Sequence, residues 1–220
     1  MYEDGEVPSV SNARTIIAAR EKDIFMSFVE ASKSEMSEQE YLRIKKKVDV
    51  SGGDYKPSGQ PSEYTGFRSM SLDKIANIVR LIIANIGSTF VTKMNKLLFY
   101  ADFIHYKKHG YGITGLTYKA LPFGPVPEHW GTLYNSLSGI DMEEYVYQSG
   151  QSGIKLESVE NNENILCESE LATIEKVCKY FAGMNAGEIS QTSHLEKGWI
   201  DNKDNRSEIS YQNAFALNYN

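Results

Sequence analysis

The chain has 220 residues, 41% of them hydrophobic and 24% charged, with a formal net charge of −6. That length supports a real core without staples and suggests one large domain, or one domain with an appendage. The acidic balance argues against broad electrostatic binding to nucleic acid, and the longest uncharged apolar stretch, about Leu81 to Val91, is too short to span a bilayer.

No basic segment followed by an apolar one stands at the N terminus, so no signal peptide is expected. Cys167 and Cys178 lie in or near a helical pattern, at a spacing that fits neither a disulfide framework nor a zinc site. A reducing cytoplasm is the expected compartment.

Three zones follow one another. Residues 1–49 read as helical. Ile16, Ile17, Ile24, Phe25, Phe28 and Val29 recur at helical spacing, with Ser11 or Asn12 as cap. A second helix is predicted over about Ser37 to Val48. Ser37 and Glu40 fit a capping box, and Lys45, Lys46 and Lys47 suit the negative end of the helix dipole. Residues 50–69 are rich in Gly, Pro and Ser without an apolar period, and read as a linker.

Residues 70–220 form the main domain. Ser71 or Asp73 starts a helix that Gly87 ends. Thr92 is expected to cap the next one, which Gly110 closes. Met94, Leu97, Leu98, Ala101 and Ile104 make one stripe of it, and Phe99, Phe103 and Tyr106 cover another face. A helix apolar on most sides is central and buried. Ile113 to Leu121 reads as an extended hairpin or irregular strand, and Pro127 as the first residue of a further helix reaching about Leu137. Residues 142–159 suggest a β-hairpin, Glu168 to Met184 a helix, and the rest short elements. The fold class is therefore α+β, predominantly α-helical, with a helical core around a central buried helix and a small antiparallel sheet.

The search for chemistry returns little. His105 and His109 are four apart and could share a metal. The carboxylate base expected between such a pair is missing, and Tyr106, Lys107 and Lys108 intervene. His109 reads better as an imidazole at a helix C terminus, and His105 as a satisfied interior histidine. No nucleophile elbow or phosphate loop occurs, and "HGYGITG" follows a helix where a dinucleotide loop would follow a strand. No catalytic residue, metal or cofactor is expected. "LPFGPVPEHW" stands apart, because its glycine and prolines stiffen a backbone carrying Phe123 and Trp130. Such a loop is either a binding surface held at low entropic cost or a rigid connection with its aromatics in the core.

"KMNKLLFYADFIHYKKHGYGITGLTYKALPFGPVPEHW" resembles the signature of the Panacea domain, also called the SocA-like antitoxin domain and found in phage-associated GepA-type proteins. The matching positions are Lys96, Leu97, Leu98, Phe99, Tyr100, Ala101 and Asp102, then Gly110, Ile113, Thr114, Gly115 and Tyr118, then Gly124, Pro125 and Val126. Ser193, His194 and Trp199 match a later element, and Ile209, Ser210 and Tyr211 the last. The resemblance spans about Ser71 to Leu217.

It implies an antitoxin that neutralises a toxin by direct contact, with no catalytic residues. One branch resembles an adaptor that hands its toxin to the ClpXP protease, so such a protease is a further expected partner. The signature residues offered as structural or partner-contact positions are Lys96, Tyr100, Asp102, His105, Gly115, Tyr118, Phe123, Gly124, Pro125, Val126, Trp130, His194 and Trp199.

"YEDGEVPSVSNARTI" at the front resembles the end of an XRE-type or MqsA-like helix-turn-helix domain, at Tyr2, Glu3, Gly5, Pro8, Ser9 and Asn12. The recognition helix would precede Tyr2, so more protein is expected upstream. DNA binding is then a property of a longer form, with no DNA-binding residues in this chain. A homodimer is also expected to be open to it, since repressor-type antitoxins pair to match two half-sites. The alternative function is a DNA-binding regulator or phage-associated protein whose recognition helix is missing here.

Overall fold

A computed structural model describes residues 22–51, 60–146, 152–158 and 165–218. The chain divides into two compact units, Met1–Asp54 and Tyr55–Asn220.

In the first unit, α1 (Lys22–Ala31) and α2 (Glu38–Ser51) are joined by a short 3-10 turn. Ser37 caps α2, its hydroxyl accepting from the Glu40 N–H at 3.2 Å, as the sequence predicts. Val29 and Tyr41 are buried between the helices, the Tyr41 hydroxyl donates to Glu30, and the Lys33 ammonium lies 4.3 Å from the Tyr41 ring centre. The expected cap at Ser11 or Asn12 and the helix-turn-helix resemblance fall on residues outside those described.

The second unit is built around α4 (Val91–His109), which buries residues on every side. Its low polarity contrast around the axis leaves no face for solvent, so other elements enclose it. These are α6 (Glu168–Phe181), on which α3 (Leu72–Ile86) packs, α7 (Ala186–Ser193), the strand Gly124–Pro127 and a C-terminal 3-10 segment (Tyr211–Ala216). Ser71 caps α3 and Gly87 ends it; Gly110, in the left-handed region at φ 80°, ends α4. Thr92 does not cap α4. The helix starts at Val91, because Thr89–Phe90 form a short strand, β1, that holds Phe90 extended as the N-cap residue.

The expected small sheet is two separate antiparallel sheets. β2 (Tyr118–Leu121) pairs with β3 (Gly124–Pro127), and β1 pairs with β5 (Ser152–Ser158), which pairs with β4 (Ile140–Val146). Pro127 therefore ends a strand and does not begin a helix. In the β2–β3 register Ala120 faces Pro125 and Tyr118 faces Pro127. With a two-residue turn these are the pairs that exchange no ladder hydrogen bonds, so both prolines are tolerated. The other edge of β2 is covered by the C-terminal segment, where Ala120 N–H donates to Ser207 O and Ile209 N–H to Tyr118 O. The next helix, α5 (Trp130–Asn135), starts after His129, which takes a left-handed conformation at φ 53°.

Residues 60–69 are not a free linker. Glu63 O accepts from Tyr211 N–H at 2.9 Å, Gly66 O accepts from Gly112 N–H at 2.8 Å, and Phe67 stacks on Tyr106. A Cβ on Gly66 would lie 2.6 Å from the Tyr211 ring, so glycine serves close approach here. Within residues 60–69 the composition that reads as a linker makes a turn fastened to the core, and residues 52–59 of that stretch lie outside those described.

Candidate binding site

Two of the buried charged residues of α4, Lys96 and Asp102, stand six residues apart with opposite surroundings. Asp102 is fully buried. Its Oδ1 accepts from the Ile113 N–H at 2.6 Å and the Thr114 N–H at 2.8 Å, and its Oδ2 from the Thr114 and Tyr118 hydroxyls. Burial raises its pKa, and these hydrogen bonds offset part of that. The carboxylate thus bends residues 113–118 onto α4. Gly115 belongs to the same turn, at φ 77°, where a Cβ would meet the backbone of Ser69 and Met70 within 3.0 Å. Tyr118 packs with Phe99, Phe103 and Tyr211.

Tyr100 and His105 are similarly satisfied. The Tyr100 hydroxyl donates to buried Glu196 at 3.0 Å, and its ring stacks on Phe181. His105 has partners at both nitrogens, Tyr111 O at 2.9 Å and Ser169 Oγ at 3.3 Å. The His109 ring lies 4.4 Å away, but His105 has no nitrogen left for a metal. Among the described residues no group of three or more His, Cys, Asp or Glu side chains could hold a metal ion.

Lys96 differs. It is fully buried, and its Nζ has no hydrogen-bond partner. Burial lowers its amine to about 7. The side chain runs under the tip of the β2–β3 hairpin, where a Cβ on Gly124 would come within 2.5 Å of Lys96 Cε and 2.4 Å of Ser193 Oγ. Gly124, at φ 102°, is thus required by its backbone and by the lysine beneath it.

Lys96 forms part of the wall of a cavity of about 200 Å³. Val91, Leu121, Phe123, Val126, Trp130 and Ile154 supply apolar wall, with Thr92 and Asn95 as its polar members. Asn95 is fixed by the Tyr134 hydroxyl, 2.8 Å from its Oδ1. A second, more open cavity of about 310 Å³ shares Leu121 and Trp130 and continues to Lys119, Glu128 and His129. Phe123, at the hairpin tip, is 73% exposed, the most exposed of the large hydrophobic side chains described.

The hairpin is held from behind. Ser190 Oγ donates to Phe123 O at 2.5 Å, and Trp199 Nε1 donates to Leu121 O at 2.8 Å. His194 stacks on Trp199 with ring centres 4.0 Å apart. Burial and the nearby Lys96 charge lower the His194 pKa, and its buried Nε2, like Lys96 Nζ, has no hydrogen-bond partner.

The thirteen signature positions therefore separate into three groups. Lys96, Phe123, Val126 and Trp130 meet at the cavity, with Gly124 and Pro125 as its backbone. His194 and Trp199 brace the hairpin. Tyr100, Asp102, His105, Gly115 and Tyr118 lie in the satisfied core. Sequence reasoning did not single out Val91, Asn95, Leu121 or Ile154 for the site. Ile154 comes from β5, distant in sequence, and its one signal is the alternation of that strand.

The family model described as "Antitoxin SocA-like, Panacea domain" matches residues 94–200, which include Lys96, Phe123, Trp130, His194 and Trp199. No curated protein and no solved structure matches the chain.

Proposed function

We propose that the chain is an antitoxin-type binding protein that neutralises a cognate protein toxin by direct, non-catalytic contact at the groove around Phe123 and Trp130. The observation that carries this reading is the match of the SocA-like antitoxin model over residues 94–200, the stretch that builds the groove. The physical support is an exposed aromatic on a braced hairpin. Ser190 and Trp199 fix the carbonyls of Phe123 and Leu121, so the tip loses little conformational freedom on binding. Aromatic anchors beside a pocket are the usual centres of binding energy.

The test is co-expression with the product of the neighbouring gene. That product is expected to arrest growth alone, to be neutralised by this chain, and to co-purify with it. Phe123→Ala is expected to weaken the complex at least tenfold. A non-toxic neighbour and no recovered partner would sink the reading. The finer proposal, delivery of the toxin to a ClpXP-type protease, predicts in addition that toxin levels fall only when that protease is active.

A further inference from the structure

Lys93 and Lys96 stand nearly one turn apart on α4, and both are buried. Lys93 Nζ donates to Met184 O at 2.6 Å and Ala182 O at 3.3 Å, so it closes the chain reversal after α6. Lys96 Nζ has no acceptor. A methionine or leucine would fill the same space without the cost of a buried, unbonded amine. The lysine is explained if an acceptor arrives from outside.

The cavity it helps to form says what kind. Its volume of about 200 Å³ lies below the roughly 300–1,000 Å³ typical for pockets that take drug-sized molecules, so it suits a single side chain. Its walls are mostly apolar, which favours an apolar stem. The one cationic side chain among them calls for one anionic group, and a phosphate would need more donors. The lysine stem is flexible enough for the amine to follow a ligand. Phe123, exposed at the rim, continues the surface outward and fits a macromolecular partner better than a free metabolite.

We propose that this cavity receives an acidic side chain of the protein partner, presented within an apolar segment, whose carboxylate takes Lys96 as its counter-ion. The proposal rests on the toxin-binding reading and names what the toxin must present.

The test uses the full chain, with phenylacetate as probe and phenylacetamide as its uncharged control, followed by NMR at the Trp130 indole and the Ile154 methyls. Saturable binding of phenylacetate in the millimolar range is expected, at least about tenfold tighter than that of phenylacetamide. Lys96→Met is expected to abolish the preference, and Ile154→Phe, which narrows the cavity without touching the amine, to weaken both probes. The second variant keeps the test decisive should the first fail to fold. Equal binding of the two probes, no saturation, or an unchanged preference in Lys96→Met would overturn the proposal.

With the toxin in hand, Lys96→Met is expected to weaken the complex at least tenfold, and phenylacetate to compete. If phenylacetate binds but the toxin ignores both changes, the occupant is a free carboxylic acid and the protein source is overturned. If no toxin exists, the probe titration still returns its own answer, so the two failures are distinguishable.

Discussion

The loop around Asp102 and the cavity beside Lys96 lie six residues apart along one helix and are treated in opposite ways. Both charged residues are removed from water. Around Asp102 the chain supplies four donors, two of them backbone N–H groups, and the result is architecture. Around Lys96 it supplies no acceptor, although Lys93 nearby has two. A buried charge that is fully bonded specifies a local structure; a buried charge left unbonded lowers stability and is retained where something else uses it. On the proposed reading, the difference separates residues that hold the fold from residues left for a partner, although one signature contains both.

The sharpest way to break this contrast is Asp102→Ala. It strands several buried donors at about 1–3 kcal/mol each, so a loss of ~4 kcal/mol or more is expected in chemical denaturation. A loss under ~1 kcal/mol would remove Asp102 from the architecture. Gly124→Ala comes next, since it adds a Cβ against Lys96 and Ser193 at a left-handed position; about 2–3 kcal/mol is expected, read the same way. Lys93→Met should cost about 1–2 kcal/mol through its lost charged hydrogen bonds. Smallest in stability is Phe123→Ala, expected within ~0.5 kcal/mol of wild type because the ring is in solvent, while toxin affinity drops. Unchanged affinity there would move the contact surface elsewhere.

Much of this was legible in the sequence where local chemistry decides. Ser37, Ser71, Gly87 and Gly110 mark helix ends by capping and left-handed geometry, and the apolar faces of residues 91–109 announce a central helix. The predominantly helical α+β class followed from those patterns. What failed needed partners distant in sequence. Pro127 carries a helix-start signal, and only the pairing with Tyr118 shows it in a strand. Residues 60–69 have linker composition, and only Tyr211 and Gly112 show them fastened. Phe123 and Trp130 stood out as a stiff aromatic loop, but the empty surroundings of Lys96 could not be read from a motif, because the absence of an acceptor is a property of the packing.

The most direct measurement is the unfolding free energy of wild type and Lys96→Met between pH 7 and 9.5. The folded-state pKa of Lys96 is about 7, against its ordinary 10.5. Between these values the unfolded chain binds more protons at this lysine, so its contribution to stability rises with pH, by up to about 1.4 kcal/mol per pH unit. Lys96→Met lacks that slope. It is expected to be more stable than wild type by about 1–3 kcal/mol at pH 7, with the gap closing as pH rises. A variant less stable than wild type at pH 7, or a gap that does not change with pH, would contradict the account and make Lys96 another structural lysine like Lys93.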